Sequence, residues 1–157
     1  MQEKIKVLYV DDEENNLISF KAVYRLKYKV FTAISPMMAL EILDENPDIH
    51  IVITDQRMPD ITGVEFLKII LIKHPFPIRI MLTGFSDMKD TVDAVNYGKI
   101  FNYLTKPWDE VTLTETIENA VIKYKEEDRL RQRAQQAELA ERSANQMEFL
   151  LRQNLLS

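Results

Sequence analysis

The chain has 157 residues, no cysteine and a formal net charge of −5; it is 46% hydrophobic and 29% charged. That length holds one domain of ordinary size with residues to spare, and the charge argues against a nucleic-acid surface. The absence of cysteine excludes disulfides and thiolate metal sites. The acidic N-terminus "MQEKIKVLYVDDEE" lacks the apolar region of a signal peptide. No apolar run approaches the roughly 18 residues of a membrane span, so a cytoplasmic location without membrane contact is expected.

The first element in the chain is "IKVLYV" (5–10), a short apolar run rich in β-branched and aromatic residues. "YKVFTA" (28–33), "IHIVIT" (49–54), "IRIML" (78–82) and "IFNYL" (100–104) resemble it, each about the length of a strand buried in a parallel sheet. Helical patterns alternate with these runs. The first carries Leu17, Phe20, Lys21 and Tyr24. The second carries Ala39, Leu40, Ile42 and Leu43 behind Ser35-Pro36, a good cap and first-turn pair. The third has Val64, Phe66, Leu67, Ile70 and Leu71, and the fourth has Met88, Val92 and Val95 behind Ser86. The fifth starts near Trp108-Asp109, just past Pro107. Five strands alternating with five helices imply a parallel α/β sheet with right-handed crossovers. Five units are too few for an eight-stranded barrel, so the expected fold is an open, doubly wound, flavodoxin-like sheet in the order 2-1-3-4-5, with the last helix extended.

That order makes strands 1 and 3 neighbours, and a ligand would bind at their carboxyl ends. Asp11 and Asp12 follow the first strand directly, and Asp55 follows the third directly. Thr83 ends the fourth and Lys106 follows the fifth, so all five residues converge on one edge. Three carboxylates so close repel one another and raise one pKa unless a cation is present. A hard divalent ion with oxygen ligands, Mg²⁺ first, removes the conflict. With Lys106 as a further positive charge, such a site has cationic capacity for an incoming phosphoryl group, and an aspartate can be its nucleophile. Each piece also has a plain structural reading. Asp12 or Asn15 could cap the first helix, Asp55 and Thr83-Gly84 could be turn residues, and Lys106-Pro107 could merely end a strand.

Taken together, "VLYVDDEENN", "IVITDQRMPDITGVEFL", "IMLTGFSD" and "FNYLTKPW" resemble the signatures of a response regulator receiver domain, over about residues 4 to 124. The resemblance implies a switch that takes a phosphoryl group from a sensor histidine kinase or phosphotransfer protein onto Asp55. It implies Mg²⁺ held by Asp11, Asp12, Asp55 and the backbone carbonyl of Arg57. Lys106 and Thr83 would contact the phosphate, Thr83 and Tyr103 would form the switch pair, and a small Gly84 would leave the phosphate access. The protein would be a phosphoacceptor that promotes its own phosphorylation and dephosphorylation, not an enzyme in the ordinary sense. Turning of the Thr83 hydroxyl toward the phosphate would vacate space, and inward rotation of Tyr103 to fill it would then alter the surface of the fourth helix and fifth strand.

After Pro107 there is neither Gly nor Pro, so nothing stops the last helix near Tyr124 or Lys125. The expected division is a receiver at 1–125 and a helical extension at 126–157. From 125 onward Lys125, Arg129, Arg131, Arg133, Arg142 and Arg152 balance Glu126, Glu127, Asp128, Glu138, Glu141 and Glu148, so the tail is no basic arm. Leu130, Ala137, Ala144 and Leu151 recur every seven residues, with Ala140 and Met147 at partner positions, but Arg133 and Asn154 interrupt the seam. The tail reads as a coiled-coil linker forming a weak homodimer, or else as a solvated helix. The apolar end "MEFLLRQNLLS" suggests entry into a further module.

Other classes fit less well. An aspartyl-phosphate hydrolase would carry a second acid two residues after its nucleophile, where this chain has Arg57. A flavin carrier would need a Ser/Thr/Gly-rich loop where this chain has "DDEENN". The remaining alternative is a phosphorylation-independent dimerisation adaptor.

Overall fold

The computed structural model describes residues 3–84, 89, 92, 93 and 102–156. Five strands, β1 (Lys6–Val10), β2 (Lys29–Ala33), β3 (Ile51–Asp55), β4 (Ile78–Thr83) and β5 (Asn102–Thr105), form one parallel sheet in the order β2-β1-β3-β4-β5. The described residues also hold four helices: α1 (Glu14–Tyr24), α2 (Pro36–Glu45), α3 (Gly63–Lys73) and α4 (Glu110–Leu156). The helical pattern expected at Met88, Val92 and Val95 lies largely outside the described residues.

Alternation along the strands explains why helices cover both faces. Val7 and Tyr9 of β1 join Ile51 and Ile53 of β3 in a core against Leu17 and Phe20 of α1 and Leu113 and Ile117 of α4. Leu8 and Val10 turn to the other face, where Val52 and Met81 meet Leu43 of α2 and Phe66, Leu67 and Ile70 of α3.

Ser35 caps α2 as expected, its hydroxyl accepting from the Met38 N–H at 3.2 Å. Neither Asp12 nor Asn15 caps α1; the cap position is Glu13, whose side chain makes no cap bond. The helix entry is instead held by Asp11, whose Oδ1 accepts from the Glu13 N–H at 2.9 Å. Asp55 proves to be the last residue of β3, paired with Leu82, rather than the first residue beyond the strand. The fifth strand ends one residue later than expected, at Thr105.

The chain divides into two compact units, residues 1–124 and 125–157. In the second, Leu130, Leu139, Met147, Phe149, Leu150, Leu151 and Leu155 are all at least half exposed. Ion pairs one helical turn apart, Arg142–Glu138 and Arg152–Glu148, lie along it. Among the described residues, no helix is long and apolar enough to cross a membrane.

Candidate functional site

Strand register builds the site. Val10 of β1 lies opposite Thr54 of β3, which sets Asp11 level with Asp55. On the other side, Thr83 lies opposite Thr105, and the Lys106 N–H donates to the Thr83 carbonyl at 2.9 Å. The expected convergence of strand ends is therefore present for Asp11, Asp12, Asp55, Thr83 and Lys106. Carboxylate oxygens of Asp11, Asp12 and Asp55 all lie within 4.8 Å of one another.

The three acids differ. Asp11 is fully buried, Asp55 is 6% exposed and Asp12 faces solvent. Lys106 reaches between the two buried ones, its Nζ 3.0 Å from Asp55 Oδ2 and 3.3 Å from Asp11 Oδ2. Asp11 Oδ2 also accepts from the Tyr9 hydroxyl at 2.9 Å and from Asn16 Nδ2 at 3.0 Å. Asp11 is thus held by donors from β1, α1 and the segment after β5, whereas Asp12 faces solvent.

Burial raises the Asp55 pKa above the ordinary aspartate value; Lys106 opposes this by hydrogen bond and charge, and Asp11 adds to it. Like-charge repulsion was the cause anticipated from the sequence, but burial is the larger one. Burial pulls the Lys106 pKa down, yet its bond to Asp55 and the charges of Asp55 and Asp11 outweigh this and leave it raised. The Tyr9 hydroxyl is held protonated by burial and by the adjacent Asp11. The donor set fits a hard divalent cation: oxygen ligands only, one of them solvent-facing, around a carboxylate that burial disfavours as an anion.

Thr83 is fully buried and its hydroxyl donates to the Gly84 carbonyl at 3.2 Å. Tyr103 is half-buried against the α2–α3 face of the sheet. Arg57 is exposed on the loop after β3. The fourth helical segment, whose surface the Thr83/Tyr103 reading invokes, lies mostly outside the described residues.

Three residues of the site escaped the sequence reading: Tyr9, Asn16 and Gln56. Tyr9 had a signal, because residues two apart at a strand end share a face, so Tyr9 and Asp11 point the same way. Asn16 sits within the first turns of α1, as an ordinary surface asparagine would. Gln56 looks like loop filler beside Asp55, yet it is only 4% exposed.

Residues 7–118 match the family model of the response regulator receiver domain. The chain belongs to this family. Over 119 residues the receiver is 34% identical to the hydrogenase transcriptional regulatory protein HoxA of Bradyrhizobium diazoefficiens, covering 76% of this chain and 24% of that protein. It is 36% identical over 125 residues to the transcriptional regulatory protein ZraR of Salmonella typhimurium, covering 78% and 28%. The chain thus spans about a quarter of the length of these relatives. Among solved structures, a response regulator receiver domain protein from Clostridium thermocellum superposes with a TM-score of 0.73 at 35% identity, over 77% of this chain and 97% of that one. A CheY-like receiver protein from Methanospirillum hungatei superposes with a TM-score of 0.72 at 27% identity, over 80% and 99%. Receivers of this family are signalling phosphoacceptors of two-component systems, and this chain carries their fold and acidic pocket.

Proposed function

We propose that the chain is a phosphoacceptor switch in which Asp55 takes a phosphoryl group from the phosphohistidine of a sensor kinase or phosphotransfer protein. The observation that carries this reading is the position of Lys106, bridging Asp11 and Asp55 beside the solvent-facing Asp12. A carboxylate oxygen of Asp55 attacks phosphorus, the P–N bond breaks, and an acyl phosphate forms while the electron pair returns to the imidazole. Lys106 is placed to follow charge onto the phosphoryl oxygens, and the Thr83 hydroxyl to turn from the Gly84 carbonyl toward them. Mg²⁺ held by Asp11, Asp12, Asp55 and the Arg57 carbonyl would supply charge neutralisation around the transferring group. Asp11, pinned by Tyr9 and Asn16, keeps its carboxylate in place whether or not the pocket is loaded. Gly84 leaves room for the phosphate. The reaction is stoichiometric, with hydrolysis of the acyl phosphate resetting the switch.

Tyr103 would fill the space that Thr83 vacates and so pass the change to the surface of β5. Residues 126–157 form a helical extension of the 1–125 receiver and pair weakly with a second copy. Support for the pairing comes from Leu130, Met147 and Leu151, which recur at heptad positions and are each more than half exposed.

Incubation with acetyl phosphate and Mg²⁺ tests the reading. Wild-type protein should gain one phosphate by intact mass, and Asp55→Asn none. Lys106→Ala should keep its fold and most of its Mg²⁺ affinity while phosphorylating more slowly. Equal phosphate gain in Asp55→Asn would refute the assignment.

A further inference from the structure

Gln56 follows Asp55 directly, and three of its polar groups are committed to two other segments, β4 and the start of α3. Its N–H donates to the Leu82 carbonyl of β4 at 3.0 Å. Its carbonyl accepts from the Gly63 N–H at 2.8 Å, and its side-chain Oε1 accepts from the Val64 N–H at 2.9 Å. Gly63 and Val64 begin α3, and the first amides of a helix have no partner within it. Thr62 serves the next two, its hydroxyl accepting from the Glu65 N–H and its carbonyl from the Phe66 N–H. Gln56 therefore supplies both remaining acceptors of the first turn, one from its backbone and one from its side chain.

The consequence is a closed loop. Residues 57–62 leave from Gln56, just past β3, and the chain returns to Gln56 at Gly63, so the two ends of the loop are stapled together. The approach is close: a Cβ on Gly63 would lie 2.4 Å from the Asp55 carbonyl and 3.0 Å from Gln56 Cα. Within the loop Asp60 has φ of 75°, a left-handed conformation uncommon outside glycine. A loop so bent holds its shape only where its ends are fixed.

We propose that Gln56 is a positioning residue for the acidic pocket: its side-chain amide, by holding the start of α3 to the end of β3, fixes the backbone that carries Asp55 and Arg57. The proposal rests on the phosphoacceptor reading of Asp55. It assigns Gln56 no contact with the phosphoryl group. The amide acts by pre-ordering ligands that would otherwise have to be ordered when the cation binds. Chain length is part of the role. Asparagine is one methylene short of Val64, methionine fills the space without a good acceptor, and glutamate keeps the acceptor.

The test compares the full chain with Gln56→Met and Gln56→Glu in three measurements. These are Mg²⁺ titration followed by Trp108 fluorescence, acetyl phosphate phosphorylation rate against Mg²⁺ concentration, and hydrogen exchange at the Val64 amide. Gln56→Met should exchange Val64 faster and bind Mg²⁺ about threefold to tenfold more weakly, the worth of one buried hydrogen bond. Its phosphorylation rate at saturating Mg²⁺ should approach that of wild type, since the reacting groups are intact. Gln56→Glu should restore both Val64 protection and Mg²⁺ affinity. If Gln56→Met does not fold, Gln56→Asn provides the same comparison. Wild-type Mg²⁺ affinity in the methionine or asparagine variant, with Val64 deprotected, would reduce Gln56 to a helix cap and overturn the proposal. A wild-type chain that neither binds Mg²⁺ nor takes up phosphate would instead overturn the phosphoacceptor reading, and this proposal with it.

Discussion

Residues 3–124 and the helix beyond them treat their apolar side chains in opposite ways. In the first unit Tyr9, Phe20, Ile53, Phe66 and Ile80 are completely buried, on two faces of one sheet. In the second, Leu150 is 50% exposed and Leu155 86%. The first unit therefore owes its stability to burial, at roughly 25 cal/mol per Å² of apolar surface. The second relies on helix propensity and pairs such as Arg142–Glu138, each worth only a few tenths of a kcal/mol. The same residue type is structural in one place and, in the other, available to a partner.

The largest contrast should come from matched truncations. Phe66→Ala is expected to cost about 3–5 kcal/mol in the unfolding of the first unit, whereas Leu151→Ala should leave that transition within about 0.5 kcal/mol. Denaturant melts read at Trp108, which packs 6.5 Å from the Phe20 ring, would measure both. A comparable loss from Leu151→Ala would mean that the tail stabilises the receiver.

Gly63→Ala sharpens the comparison at a point where burial is already complete. The added methyl would meet the Asp55 carbonyl and the Met81 sulfur, 2.8 Å away, so a loss of about 1–3 kcal/mol is expected. Thermal melts at pH 7 would show it.

A third effect is confined to the pocket. The raised pKa of Asp55 means that its ionisation opposes folding. Its contribution to stability is complete below the ordinary aspartate pKa and is lost as pH rises through the raised folded value. In Mg²⁺-free buffer, Asp55→Asn should therefore melt at a higher temperature than wild type at neutral pH, with the gap closing in acid. Melting curves between pH 4 and about pH 8 would check this, and a variant less stable at neutral pH would contradict it.

The tail should show its own chemistry only when copies meet. A seam of Ala137, Ala144, Met147 and Leu151, interrupted at Arg133 and Asn154, buries less area than a leucine seam. Weak, concentration-dependent dimerisation is expected, and a chain ending at Lys125 should lose it. Identical sedimentation of the two versions, with and without BeF₃⁻, would favour a solvated helix. The smallest effect belongs to the surface pair Lys6–Asp48. Lys6 holds the Asp48 carboxyl below its ordinary value, so the pair stabilises above the unfolded aspartate pKa, and this stabilisation fades as pH falls through the folded value. Solvent screening should keep the loss in Asp48→Asn below about 0.5 kcal/mol at pH 7.

Hydrophobic runs and helical spacing are local properties, and they determined most of the architecture. The apolar run ending at Asp55, the Ser35-Pro36 start of α2 and the absence of Gly or Pro after Pro107 were each legible because the physics acts within a few residues. Alternation of elements pointed to a doubly wound parallel sheet, and the flavodoxin-like order chosen for it carried the convergence of Asp11, Asp12, Asp55 and Lys106 on one edge. Partners separated by long stretches of chain were decided only by the tertiary structure. Neighbouring Asp11 and Asp12 look alike in sequence, yet one is enclosed by Tyr9, Asn16 and Lys106 and the other faces water. Gln56 reads as loop until α3 folds back to place Val64 against it. The raised pKa of Asp55 likewise comes first from burial, a property of the whole packed sheet that no stretch of residues encodes alone.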